Sequence, residues 1–303
     1  MNAFLYVITV FIWGSTWLAI AYQMGDTPVV VSVGWRFALA SVFLLAWLAL
    51  RGKLPTLSRE NHKMAILLAL CLFSNNFLCF YAATQYLPSG LNAVVFSLAP
   101  IFNALNLWWL EKRRPSSTFI QGALMGFAGV VTLFGAQFLN AAMDTTVLLG
   151  LGLTFVGTYF FSMGNLVSAR AQQKGMPLLP TTAWAMGYGA LYVFAIALAM
   201  GHSLAFSTTP LYLSALIYLA IIGSVIGFNT YLALVGRIGA AKAAYCTVLF
   251  PLVALSLSTL FEGYIWTWQS ALGVLLVLAG NLRVFGIPEP LKRWRRITPT
   301  QAE

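Results

Sequence analysis

The chain has 303 residues, 60% of them hydrophobic, 15% aromatic and 8% charged, with a formal net charge of +10. A soluble domain has about 25% charged residues, and 17 bases with 7 acids cannot cover the surface of a soluble globule of this length. The bilayer is the solvent that suits this composition, and little chain is left over for a soluble catalytic domain.

A spanning helix takes about 20 apolar residues. Apolar runs bounded by turn residues fall at 3–22, 29–50, 64–86, 90–110, 118–136, 147–169, 179–200, 211–234, 240–260 and 268–286, which predicts ten transmembrane helices. The first run has no basic n-region and no small-residue cleavage site, so it reads as a retained first span. The breaks between runs carry Gly25 to Pro28, Pro88-Ser89-Gly90, Pro115, Pro177 with Pro180, Pro210 and Gly239. Cys71, Cys79 and Cys246 lie in apolar stretches without CxxC pairing, so neither disulfides nor zinc are expected.

Lys and Arg occupy the even-numbered connections: Arg51, Lys53, Arg59 and Lys63; Lys112, Arg113 and Arg114; Arg170 and Lys174; Arg237 and Lys242. They return in the tail as Lys292, Arg293, Arg295 and Arg296, and the odd-numbered connections have none. With ten spans every basic loop lands on one face, which the positive-inside rule makes cytoplasmic together with both termini. The basicity is then a topological signal and an affinity for anionic headgroups, with nothing pointing to nucleic acid.

An internal repeat runs at an offset of 151 positions. It pairs Pro100 with Pro251, Glu111 with Glu262, Gly122 with Gly273, Gly129 with Gly280, Phe134 with Phe285, Gly135 with Gly286, Phe77 with Phe228 and Ala93 with Ala244. The expected domains are 1–140, 141–288 and a basic cytoplasmic tail, 289–303. Five helices per copy is an odd number, so the second copy would be inverted in the membrane, with Glu111 on the cytoplasmic face and Glu262 outside. Inverted repeats are a construction typical of secondary transporters, with the solute site near the midplane between the halves. Pro100 and Pro251 each precede a helix-end Glu by eleven residues, about 16 Å at 1.5 Å per residue. They therefore fall near mid-membrane, as hinges of the fourth and ninth helices or as passive kinks.

The stretch from Gly90-Leu-Asn-Ala-Val-Val to Gly135, with Pro100, Glu111 and a Gly-rich following helix, resembles the core of the EamA domain of the drug/metabolite transporter superfamily. Ala241 to Gly286 resembles it again, and Trp13-Gly14-Ser15 and Trp35-Arg36-Phe37 are similar to the same family's pattern. The resemblance implies a ten-helix exporter or permease of small metabolites in a bacterial inner membrane, and overall likeness is to the YddG-type amino-acid exporter branch. No cofactor and no obligate protein partner are implied.

Candidate substrate residues are the polar and aromatic groups inside spans. Most tryptophans fall near helix ends, where an aromatic belt explains them. Trp13 and Trp17, one turn apart, sit well inside the first span, as lipid-facing packing or as the wall of a central cavity. Thr158, Ser162 and Asn165, with neighbouring Tyr159, mark one region of the sixth span, and the fourth carries Asn92, Phe96, Asn103 and Asn106. The third offers Asn75, Asn76 and Tyr81, and the eighth Asn229 and Tyr231. Such groups either tie neighbouring helices together or line a pocket. Arg36 is a base inside a span, expected to face the interior, where it attracts a substrate carboxylate or pairs with a helix C-terminus or Asp26. No Asp, Glu or His lies mid-membrane and there is no Walker motif, so facilitated transport is the simplest mechanism, with coupling through Glu262 left open. An intramembrane enzyme would need an acid pair or a nucleophile with its base, which no span provides. The expected function is export of amino acids or similar small metabolites by alternating access. Alternatives are a multidrug or nucleobase-like solute exporter and a proton-coupled antiporter.

Overall fold

The computed structural model describes residues 2–53, 56–112, 116–139, 145–243 and 246–285, with side chains for all of these except 3, 111, 134–139, 241, 242, 248, 284 and 285. Pro115, Arg113, Arg114, Ala244, Gly286 and the basic tail 289–303 lie outside the described residues.

The described chain is helical. In order the helices are α1 (Asn2–Ala21), α2 (Val29–Leu50), α3 (Arg59–Thr84), α4 (Ser89–Phe96), α5 (Ala99–Glu111), α6 (Ser117–Leu139), α7 (Thr145–Gln173), α8 (Leu178–Ala199), α9 (Pro210–Ile238), α10 (Ala240–Ala243), α11 (Cys246–Phe261) and α12 (Trp268–Phe285). Their ends follow the punctuation in the sequence. Pro28, Pro88 and Pro177 precede helix starts, Ser58 accepts from the Asn61 amide at 3.2 Å, and Gly175 and Gly201 follow α7 and α8 with φ of 76° and 78°. Pro180 falls in the first turn of α8, where its missing N–H costs no hydrogen bond.

Among the described residues, seven helices are long and apolar enough to cross a membrane: Phe4–Ala21, Val29–Leu50, Arg59–Thr84, Ser89–Leu110, Thr145–Gln173, Leu178–Ala199 and Pro210–Ile238. The other three expected spans fall on α6, α11 and α12, where the shorter apolar stretches are Ser117–Leu133 and Leu249–Phe261. Large apolar side chains such as Phe11, Val42, Leu124, Phe127, Leu191 and Leu275 point outward while an apolar core fills the interior. Side chains that are apolar on both faces fit a lipid solvent, and the protein is a multi-pass membrane protein.

Two stretches depart from α-helical pairing. Cys71–Asn75 within α3 and Tyr218–Ile226 within α9 are π-helical. Ser74 Oγ and Ser224 Oγ donate to carbonyls five residues back, Ala69 O and Leu219 O, at 2.8 Å each. A third interruption separates α4 from α5 at Ser97–Leu98, just before Pro100, whereas Pro251 sits inside the unbroken α11.

Helix contacts repeat the sequence offset. The α6 and α12 backbones touch: a Cβ on Gly129 would lie 2.7 Å from Gly273 O, and one on Gly280 would lie 2.5 Å from Gly122 O. Gly122 thus faces the copy of Gly129, and Gly129 faces the copy of Gly122, with the two chain directions opposed. Close packing here needs the missing side chains. Elsewhere Ser41 Oγ of α2 donates to Ala183 O of α8 at 2.8 Å. Arg283, a base within the last expected span, donates from Nη2 to Gln121 Oε1 of α6 at 2.9 Å.

Candidate functional site

A central cavity of about 30 Å³ lies where α1, α2, α3, α4, α7 and α9 converge. A water needs roughly 10–15 Å³ of such space, so this conformation has room for about two waters and none for an organic solute. Its walls are aromatic. Trp13 and Trp17 of α1 face it with Phe77 and Phe80 of α3, Phe96 of α4, Phe161 of α7 and Phe228 of α9. Phe77 and Phe228, paired by the offset, have ring centroids 5.9 Å apart, so the repeat-related aromatics meet at the centre.

The π-helical stretch of α9 orients two of these groups. Gly223 O accepts from Trp13 Nε1 at 3.1 Å, which fixes the indole against Phe228 and Tyr231 at centroid distances of 4.7 Å. Ser224 Oγ accepts from Arg36 Nε at 2.9 Å. Arg36 is 1% exposed and reaches the cavity from α2. Its Nη1 lies 3.4 Å from Tyr81 Oη, which donates to Gln23 Oε1 at 2.8 Å, and its guanidinium carbon is 4.3 Å from the Phe77 centroid. Tyr81 therefore positions Arg36 from behind. In the other copy, the π turn ends at Asn76, whose side chain is fully buried in the cavity wall.

Trp13, Trp17, Asn76, Phe96 and Arg36 are brought together here. Five other substrate candidates are placed elsewhere. Asn103 and Asn165 approach each other at 3.5 Å, and Asn106 Nδ2 donates to Ser162 Oγ at 2.8 Å, so Asn103, Ser162 and Asn165 tie α5 to α7. Tyr159 is 40% exposed on the outer surface of α7. Asn229 lines a separate groove of about 370 Å³ with Leu5, Phe43, Trp47 and Arg237, at the basic end of α1, α2 and α9. Pro100 adjoins the α4–α5 break close to Phe96, and Pro251 follows Phe250, whose ring is 5.8 Å from Trp13. Glu262 is away from Arg36. Its carboxylate accepts from Ser89 Oγ and faces the Ser89 amide at 3.4 Å, at the N-terminus of α4, where the helix dipole favours an anion. The side chain of Glu111 lies outside the described residues.

Thr16, Ile20, Phe77, Phe80, Phe161 and Phe228 complete the wall without having been singled out as ligands. Of these only Phe77 and Phe228 left a trace in the sequence, through the offset that pairs them. An apolar residue in an apolar span has no compositional mark.

Residues 1–135 and 148–286 each match the EamA-like transporter family. The chain is 28% identical over 251 residues to the "Uncharacterized inner membrane transporter YedA" of Escherichia coli (strain K12), covering 82% of this chain and 78% of that protein. It is 24% identical over 299 residues to the "Probable amino-acid metabolite efflux pump" of the same organism, covering 96% and 95%. The "Uncharacterized transporter YoaV" of Bacillus subtilis (strain 168) is 23% identical over 269 residues, covering 89% and 91%. A crystal structure superposes with a TM-score of 0.67 at 18% identity, over 98% of this chain and 99% of the other, a likeness of fold alone. The helical membrane architecture and the two matched stretches agree: the chain belongs to the EamA-like transporter family.

Proposed function

We propose that this transporter exports amino acids or similar small metabolites by alternating access, without ATP, from the cytoplasm across a bacterial inner membrane with both termini cytoplasmic. In this reading residues 1–140 and 141–288 are inverted five-helix repeats forming ten spans, and Pro100 and Pro251 act as hinges. The observation that carries it is the central cavity. Residues from both matched stretches wall it, yet its volume of about 30 Å³ admits no solute, so a solute reaches it only when the halves move apart. The opposed contact of Gly122 with Gly280 and Gly129 with Gly273 supports the inversion, because a two-fold axis in the membrane plane brings each residue against the copy of the other with directions reversed. The efflux-pump relative supports the substrate class.

Facilitated transport suits a cavity whose described walls carry no carboxylate or imidazole. Purified protein in proteoliposomes loaded with a mixture of amino acids should show saturable counterflow of labelled amino acids, unchanged by an imposed pH gradient. Strict dependence on that gradient would favour the proton-coupled antiporter. No counterflow of any amino acid, with flux of drugs or nucleobases instead, would move the substrate class.

A further inference from the structure

The central cavity contains one full charge and nothing of opposite sign among the described residues. Arg36 borders it while buried in the bilayer region, and the described carboxylates are all engaged or remote. Glu60 pairs with Lys63 at 2.8 Å on the surface, Glu262 bonds Ser89, and Asp26 is exposed in the α1–α2 connection. Ser224, Tyr81 and the Phe77 ring offset part of the cost of burying a guanidinium, but neutral dipoles and π faces leave its charge in place.

A second, independent group points to a ligand. Asn76 is fully buried in the same wall, and neither its Nδ2 nor its Oδ1 has a hydrogen-bond partner among the described residues. A buried amide with both ends unused costs several kcal/mol unless something comes to meet it. Arg36 and Asn76 Nδ2 offer donors to a carboxylate, Asn76 Oδ1 offers an acceptor to an adjacent hydroxyl, and Trp17, Phe80 and Phe96 receive an apolar body. An ammonium group meets no anionic partner there.

We infer that this site, on the transporter reading above, holds its solute by the carboxylate and ranks an organic monocarboxylate with an apolar body, moved as its anion, above the zwitterionic amino acids. These make the same carboxylate contacts but leave their ammonium without an anionic partner among the described residues. Net charge then crosses the membrane with each solute, and an inside-negative potential itself drives export. One elementary charge gains about 2.3 kcal/mol per 100 mV, an outward accumulation of about 50-fold. An exporter of this kind needs neither a proton relay nor ATP.

The test uses three solutes with one apolar body: phenyllactate as monoanion, phenylalanine as zwitterion and phenethylamine as cation. Each is presented to proteoliposomes of the full-length protein under a potassium diffusion potential set with valinomycin, with protein-free vesicles as control. The expected result is saturable phenyllactate uptake, accelerated at least several-fold by an inside-positive potential and exceeding that of phenylalanine. R36Q should reduce it tenfold or more. N76D, nearly isosteric, puts a carboxylate opposite Arg36 and should lower phenyllactate flux while raising phenethylamine flux, a gain that misfolding cannot imitate. Saturable phenylalanine flux indifferent to potential, with phenyllactate excluded, would overturn the inference and leave the transporter reading intact. Blank flux for all three solutes would overturn the inference; only a blank amino-acid counterflow as well would remove both.

Discussion

Gly227 shows how tightly a single position can constrain the cavity. It follows the π-helical stretch of α9, and a Cβ there would lie 2.5 Å from Trp13 Nε1 and 2.9 Å from Cδ1. The indole cannot simply step aside, because its Nε1 donates to Gly223 O and its ring packs on Phe228 and Tyr231. Gly227→Ala should therefore cost about 1–3 kcal/mol by overpacking. The measurement is the unfolding temperature of the purified protein by circular dichroism, expected to fall by several degrees. An unchanged melting temperature would mean that Trp13 has slack that its three contacts deny. Arg36 and Asn76 differ in kind from such packing positions: the buried Asn76 amide has no hydrogen-bond partner among the described residues, and the buried Arg36 guanidinium, though bonded to Ser224 and Tyr81, has no described carboxylate beside it.

At the scale of elements, each interruption of regular pairing lies beside the cavity. The π turn of α3 ends at Asn76, the π stretch of α9 presents Gly223 and Ser224, and the α4–α5 break follows Phe96 directly. Pairing out of α-register leaves carbonyls and side chains available to other partners, which is how Trp13 and Arg36 find theirs. The two prolines are not equivalent here. Pro100 has no N–H to return to Phe96 O, and the helix stops at Ser97–Leu98, while α11 passes through Pro251 unbroken. Pro100→Ala restores a donor and should favour one continuous helix. Turnover in counterflow should drop several-fold with the half-saturating solute concentration little changed, and Pro251→Ala should show the smaller effect. Wild-type turnover in Pro100→Ala would remove the break from the transport cycle.

At the scale of the molecule, the α6–α12 contact and the meeting of Phe77 with Phe228 both fit one pseudo-two-fold relation. If that axis lies in the membrane plane, the connections alternate faces. Single cysteines replacing Lys53 and Lys174 should then be blocked by a membrane-impermeant thiol reagent from one side only, and cysteines replacing Asp26 and His202 from the other only. The measurement is labelling of right-side-out against inside-out vesicles, in a background with Cys71, Cys79 and Cys246 replaced. Protection of all four from the same side would exclude the inverted arrangement and, with it, rocking of the halves about a shared site.

Composition alone determined the solvent, because 8% charge cannot clothe a soluble fold, and turn residues with the 151-position offset marked out the helices and the two matched stretches. Those signals are local or periodic, and each residue carries its share regardless of its neighbours in space. Which polar groups face the cavity was decided only by tertiary structure. Asn76 and Asn103 are alike in sequence as amides within apolar spans, yet one meets the central space and the other meets Asn165 across a helix contact. Asn76 directly follows a π turn, which shifts the side chains after it about the helix axis relative to regular α-helical spacing, so the face an amide presents cannot be read from its 3.6-residue period alone.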